Sequence, residues 1–323
     1  MIPIRDTIRS KNYPLINNLI IAANVLVYLV ELGQGDSLDQ FVYIYGLVPA
    51  RYSLPQLSFH FTTGEQVFSF FSFMFLHGGF LHLLANMWSL YIFGDNVEDR
   101  LGSLRYLVFY LLSGLTSGIS HLVFNWYSHV PTIGASGAIA GVMGAYFVLF
   151  PRARILTLVP IFFFIQFIEI PAYLFLGLWF VIQFLSAAGS TANSAGIAWW
   201  SHIGGFIFGI LLAKLFICIP ETGLTKKIRG MTKKRATPRI QVIRPVTSNS
   251  NHNLFGSISI TPREALFGAR KLIAVPHRFR KKNFILYIPQ GVRDGTILRL
   301  KGMGKRSGRD KPGDLYLKVH ISD

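Results

Sequence analysis

Cysteine is nearly absent. The 323-residue chain holds one, Cys218, which excludes an intrachain disulfide and any multi-cysteine zinc site. Charge is scarce too: Asp, Glu, Lys and Arg make up 15% of residues, against about 25% in soluble proteins. With 51% apolar residues and a mean hydropathy of +0.42, most of the chain cannot present the surface of a soluble enzyme. The first apolar run, from residue 15, lacks a small-residue cleavage site, so it is read as retained rather than as a secretory leader. The little charge there is lies unevenly. Residues 1–219 contain 9 Lys/Arg and 9 Asp/Glu, residues 220–323 contain 23 and 6, and the net charge of +17 therefore comes entirely from the second part.

What is present is a series of long apolar runs, near 15–32, 70–93, 104–124, 134–150, 170–188 and 198–219. Several reach the roughly 20 residues that cross a bilayer core. A further apolar stretch, 155–170, is interrupted by Pro160 and is read as a loop or the approach to the fifth helix. Six spans put both termini on one side. Arg5, Arg9, Lys11, Arg100, Arg105, Arg152 and Arg154 fall on that side and only Arg51 on the other, which makes the side of the termini cytoplasmic.

Polar residues inside these runs then share one depth. Ser136 lies in Gly134-Ala-Ser-Gly-Ala138, just after Pro131, where a helix should begin and backbone N–H groups are free. His202 lies near the same-side end of the sixth run, and His82 and Asn86 are four apart in the second, on one helix face. Ionisable groups in membrane helices mark function by default. A serine needs a base, for which His202 is the candidate, and its oxyanion needs donors, which the Ser136 N–H, His82 and Asn86 can supply. Asp95, Glu98 and Asp99 lie at the opposite end of the second run, so the arrangement expected is a Ser–His dyad. Taken singly, each residue has a plainer reading, as a packed helix-end histidine or as interhelical glue. Gly137, Gly141 and Gly144, with Gly205 and Gly209, predict close packing of the fourth helix on the sixth.

Residues from about 15 to 218 resemble the six-helix core of a rhomboid intramembrane serine protease. The resemblance is carried by His77-x4-His82-x3-Asn86, Gly94-Asp-Asn-Val-Glu98-x3-Gly102, Gly134-Ala-Ser-Gly-Ala138 and His202-Ile-Gly-Gly205. It implies Ser136 as nucleophile, His202 as base, His82 and Asn86 at the oxyanion site and His77 as a structural residue. No cofactor or metal is implied. Two features depart from the pattern: some rhomboids carry an aromatic four residues after the serine, where this chain has Ala140, and some carry a Trp-Arg pair in the first loop, which is missing from 33–67. His60 in that loop is read as a surface residue.

After Pro220 the chain becomes polar and basic. Residues 220–253 are expected to be a flexible linker whose Lys/Arg cluster attracts anionic headgroups. Residues 254–323 alternate as strands do at 257–260, 283–288 and 314–321. Thr261-Pro-Arg-Glu264 is a capping box with proline at the first helical position, and Gly291, Gly295, Gly302, Gly304, Gly308 and Gly313 mark turns. The run Ile288-Pro-Gln-Gly-Val-Arg-Asp-Gly-Thr-Ile-Leu-Arg-Leu-Lys-Gly-Met-Gly304, ending in Pro312-Gly-Asp-Leu-Tyr316, resembles the C-terminal peptide-binding β-domain of DnaJ-type co-chaperones. No His-Pro-Asp J-domain signature and no zinc-binding cysteine repeat accompany it.

The fold class expected is thus a polytopic α-helical membrane protein with a small C-terminal β-rich soluble domain. Its parts are a cytoplasmic segment 1–14, a six-helix core 15–219, the linker and the β-domain. The function implied is cleavage of transmembrane proteins near the outer face. The partners expected are transmembrane substrates, anionic lipid and a polypeptide client of the β-domain, with nucleic acid disfavoured, in a bacterial cytoplasmic membrane. The rival readings are a proteolytically silent scaffold and a transporter, and the paired halves of a transporter are not seen in the sequence.

Overall fold

The computed structural model describes the chain except Arg9 and residues 162–163, 190–197, 221–222, 235–239, 244–245, 248–252, 278–279, 306–312 and 323. It divides into two compact units, Met1–Lys233 and Lys234–Asp323.

The first unit is a helical bundle. Helix α1 (Leu15–Leu32) is followed by a loop carrying the short helices α2 (Leu38–Tyr45), α3 (Ala50–Ser53), α4 (Pro55–Ser58) and α5 (Thr63–Ser72). The bundle continues with α6 (Phe80–Leu101), α7 (Ser103–Phe124), α8 (Ser136–Leu149), α9 (Ala172–Gly189) and α10 (Trp199–Cys218). Among the described residues, α1, α7, α9 and α10 are long and apolar enough to cross a membrane. Helix α6 carries Asp95, Glu98, Asp99 and Arg100 at its end, and α8 has 14 residues. The expected start of the second helix near residue 70 is corrected to Phe80, because α5 ends at Ser72 and Gly79, at φ +152°, breaks the chain before α6.

The Gly94–Gly102 motif, expected after the second helix, forms the end of α6 and clamps the start of another helix. The Glu98 carboxylate accepts from the backbone N–H of Ile16 and Asn17 at 3.1 and 2.8 Å, and from Ser103 Oγ at 2.6 Å. It thereby occupies the unpaired donors and the positive end of α1. A side chain on Gly94 would collide with Asn17, and Gly102 has φ +87°, so both glycines are required.

The stretch 155–170 is neither a loop nor a helix approach. Strands β2 (Arg154–Ile161) and β3 (Phe164–Pro171) form an antiparallel hairpin, and the N-terminal strand β1 (Ile2–Asp6) pairs with β2. Strand β1 packs on α6, while β2 and β3 pack on α9, so the sheet braces these two helices. Asp6 accepts from Tyr146 Oη at 2.6 Å and from Asn96 Nδ2 at 2.7 Å, and Trp88 Nε1 donates to the Pro3 carbonyl at 2.6 Å.

The flexible linker expected over 220–253 is also corrected. Residues Gly223–Thr232 form helix α11, with Thr225 and Thr232 buried. Thr232 O accepts from Tyr13 N at 2.7 Å, and Arg229 donates to Arg100 O at 3.1 Å. Packing on the bundle orders a segment whose composition alone is that of a coil.

The second unit has two sheets. The first is ordered β5 (Val246–Thr247), β6 (Leu254–Ile260), β10 (Leu315–Ile321), β9 (Ile297–Leu300). The second is ordered β4 (Ile240–Val242), β7 (Ala269–His277), β8 (Arg280–Ile288). Ile258, Ile260, Ile273, Leu286, Leu315, Leu317 and Val319 are buried among them. Helix α12 (Pro262–Phe267) begins with the expected capping box: Glu264 N donates to Thr261 Oγ1 and Thr261 N donates back to Glu264 Oε2. Gly308 and Pro312, expected in a turn, lie outside the described residues.

Candidate functional site

Helix α8 sets the site. Its first residue is Ser136, so the N–H groups of Ser136, Gly137 and Ala138 have no acceptor within the helix. The preceding turn passes through Gly134, at φ +125°. A Cβ there would lie 2.8 Å from His82 Cε1 and 3.7 Å from Ser136 Oγ. The missing side chain is therefore the space in which the His82 ring and the serine hydroxyl meet.

Helix α10 brings the histidine. It crosses α8 with backbone against backbone: added side chains on Gly144, Gly205 and Gly209 would strike the carbonyls of Phe206, Gly137 and Gly141. The expected glycine packing is thus present, and it puts His202 Nε2 2.8 Å from Ser136 Oγ. His202 is 8% exposed and Ser136 is half-buried.

His82 and Asn86 share a face of α6. The Gly78 N–H approaches His82 Nδ1 at 3.3 Å. A backbone N–H only donates, so Nδ1 accepts and Nε2 carries the proton of the neutral ring. Asn86 is 7% exposed, and its buried Nδ2 finds no acceptor among the described protein groups. His77 stands apart. It is buried, and its backbone N–H donates to the Glu31 carboxylate at 3.1 Å. His60 is exposed.

Both departures from the sequence pattern have physical substitutes. Ala140 is fully buried, and its Cβ would lie 3.4 Å from a Cβ on Gly205, so α10 leaves no room for an aromatic there. The His202 ring is flanked instead by Trp179 of α9, centroids 5.9 Å apart, and by Trp199, 6.2 Å away and perpendicular. In the first loop Arg51 is fully buried, its guanidinium 3.7 Å from the Phe61 ring centre and 4.9 Å from that of Tyr43. It donates to Ile44 O at 2.9 Å and anchors the loop without a neighbouring tryptophan.

One polar contact at the site was not anticipated. Gln183 of α9, 5% exposed, places Oε1 2.8 Å from His202 Nδ1. In sequence it is the one amide in a mainly apolar helix that also holds Tyr173 and Ser186, and that alone was the signal. Among the described residues no cluster of side chains is arranged to hold a metal.

Residues 64–218 match the family described as Rhomboid domain. Those residues are a rhomboid domain. Residues 254–323 match the DnaJ C terminal domain. Rhomboid protein 1, mitochondrial, of Saccharomyces cerevisiae is 31% identical over 149 residues, 42% of this chain and 38% of that protein. RHOMBOID-like protein 1 of Arabidopsis thaliana is 32% identical over 159 residues, 49% of this chain and 37% of the relative. Rhomboid protease GluP of Bacillus subtilis is 33% identical over 150 residues, 46% and 25% of the two chains. The matched stretch thus spans less than half the length of these relatives. With its apolar helices, the rhomboid domain makes this an integral membrane protein; the relatives named include a mitochondrial form and a plant one.

Proposed function

We propose that the rhomboid domain is an intramembrane serine endopeptidase with Ser136 as nucleophile and His202 as base. The observation that carries this reading is the 2.8 Å contact between Ser136 Oγ and His202 Nε2 at the open start of α8. Ser136 Oγ attacks the scissile carbonyl, its proton passes to His202 Nε2, and the carbonyl's π electrons move onto oxygen. The Ser136 N–H, His82 Nε2–H and Asn86 Nδ2 serve as donors to that oxyanion. His202 then returns the proton to the leaving amine as the C–N bond breaks, and water hydrolyses the acyl-enzyme by the same route.

The substrates are transmembrane segments that unwind near the outer face, since a protease needs an extended backbone. Both termini lie in the cytoplasm, consistent with the seven-to-one distribution of Lys/Arg, and the membrane is a bacterial inner membrane. Exposed Lys226 and Lys227 of α11, with exposed Lys233, attract anionic lipid. The DnaJ C-terminal domain binds polypeptide. Supporting this, stacked Phe255 and Tyr316, with Ile297, Lys318 and His320, line a hollow of about 420 Å³.

The test is labelling by a fluorophosphonate together with cleavage of a transmembrane substrate in liposomes. Ser136→Ala and His202→Ala should abolish both while membrane insertion persists. Labelling that survives Ser136→Ala refutes the nucleophile, and a silent intact protein leaves a scaffold as the better reading.

A further inference from the structure

We infer that Gln183 is a positioning residue that fixes the proton of His202 on Nδ1, so that the candidate dyad works as a Ser136–His202–Gln183 relay of hydrogen bonds. This rests on the serine-protease reading of the same site.

The inference follows from what each atom is able to do. Gln183 Nε2 lies 3.3 Å from the carbonyl oxygen of Trp179, one turn back on α9. A carbonyl only accepts, so the amide nitrogen must be the group that faces it, and this orients the side chain. Oε1 is then the atom 2.8 Å from His202 Nδ1. An amide oxygen also only accepts, so Nδ1 carries the hydrogen. A neutral imidazole has a single N–H, which leaves Nε2 with a free lone pair 2.8 Å from Ser136 Oγ. The chain of donors runs in one direction, from Ser136 Oγ–H to His202 Nε2 and from His202 Nδ1–H to Gln183 Oε1. The opposite tautomer would point an N–H at the serine and face two acceptors, Nδ1 and Oε1, toward each other.

The carboxylates at the end of α6 are engaged elsewhere. Asp99 accepts from Asn12 and Lys11, Asp95 from Ser10, and Glu98 from the start of α1. A charged orienter in an apolar span would cost several kcal/mol to desolvate. A neutral amide selects the tautomer without that penalty. Its oxygen also bonds more strongly once His202 has taken the serine proton, because the donor is then charged. Gln183 itself gains and loses no proton: one moves from Ser136 to Nε2 and on to the leaving nitrogen, while the Nδ1 proton stays in place.

Gln183 sits on α9 and the other two groups on α8 and α10, so the base is set only when α9 is seated. Trp179, which supplies the acceptor for Gln183 Nε2, also flanks the His202 ring. One turn of α9 thus orients the imidazole from its side and from its polar edge.

The experiment uses the full chain in liposomes, with Gln183→Leu, similar in size without an acceptor, and Gln183→Glu, which restores one. Gln183→Leu should lower kcat on the order of 10²-fold with KM within about twofold, since loss of the tautomer-setting partner acts on the chemical step. Gln183→Glu should recover at least tenfold of that loss. An unchanged kcat in Gln183→Leu overturns the inference, as does a loss matched by a lower melting temperature and not recovered by Glu. Nitrogen-15 shifts of His202, assigned by difference with His202→Asn, give a readout that does not need turnover. The intact protein should show Nδ1 protonated and Nε2 bare, and Gln183→Leu a mixture; a protonated Nε2 in the intact neutral ring overturns the inference. Failure of the protease reading looks different: the intact protein then shows no Ser136-dependent labelling, whatever residue 183 is.

Discussion

Gly205→Ala adds one carbon where it does most to the distance between Ser136 and His202. That carbon would lie 3.0 Å from the carbonyl carbon of Gly137 and closer still to its oxygen, whereas non-bonded carbons rest at about 3.5–4.0 Å. The carbonyl belongs to the first turn of α8 and cannot rotate aside without breaking the helix ladder. The helices must therefore part by about 1 Å at this level. Gly137 is next to Ser136 and Gly205 lies three residues after His202, so the wedge falls between the two groups. Widening a 2.8 Å contact by that amount takes it beyond the roughly 3.2 Å limit of a hydrogen bond. Misplacement by about 1 Å costs on the order of 10² in rate. Fluorophosphonate labelling rates and cleavage of a transmembrane substrate should both fall by about that factor. Alanine is the better helix former by about 1 kcal/mol, so a loss cannot be assigned to propensity. Gly177→Ala in α9 is the control, because the nearest atom to its added carbon is 4.0 Å away, and it should be silent. A Gly205→Ala protein within threefold of the parent would refute the close-packing argument.

His82→Ala and Asn86→Ala should each lower kcat by roughly 10²–10³ with little change in KM; full activity of the double variant excludes the oxyanion role. A reporter fused to the C-terminus should read cytoplasmic and one in the 33–67 loop external, and the reverse result would move the site to the inner face. In the second unit the Glu264 carboxylate lies 3.0 Å from Lys271 Nζ. Partial burial pushes its pKa up, but the Thr261 N–H and Lys271 outweigh that and hold it below the usual carboxylate value of about 4.5. A depressed folded-state pKa means that the stabilisation is complete above about pH 4.5 and is lost as pH falls through the lower folded value. The unit's melting temperature should drop in that acid window, and Glu264→Gln should flatten the drop; a parallel curve for the variant would refute the linkage.

Much of this was legible because it is local. Apolar runs gave helices near their observed places, the small residues of α8 and α10 gave the helix contact, and Thr261-Pro-Arg-Glu264 gave the start of α12. What escaped depends on partners far away in the chain. The apolar stretch 154–171 has no period that separates strand from buried helix, and the partner of its first strand is the chain's own N-terminus, with Ile2 opposite Leu158. Helix α11 is too polar to be found from its pattern; buried Thr225 and Thr232 hold it to the bundle. Gln183 belongs to no motif with His202, 19 residues away. Its role appears only when α9 is packed beside α10. The tryptophans that replace an aromatic at Ala140 escaped for the same reason: ring contacts with His202 come from α9 and from the residue three before it, not from α8.

The length of α8 bears on how the proposed hydrolytic site would be built within a membrane. Its 14 residues measure about 21 Å, roughly 9 Å short of a bilayer core. One end must lie inside the apolar layer. The C-terminal end runs into Phe150-Pro-Arg-Ala-Arg154, and two arginines there belong at a surface, so the buried end is the one that begins with Ser136. Irregular backbone at that depth is tolerated only where protein satisfies it. The chain before Ser136 meets the condition: Leu47 and Thr132 exchange N–H···O bonds of 3.0 and 2.8 Å, and Gly134 N donates to Phe73 O at 2.8 Å. The first loop, anchored through Arg51, thus consumes the donors leading up to the helix and leaves those of its first turn. A short helix, a loop folded down to meet its start and free N–H groups beside a serine are one arrangement. Lengthening α8 by a turn toward Pro131 would bury the same N–H groups in helix bonds.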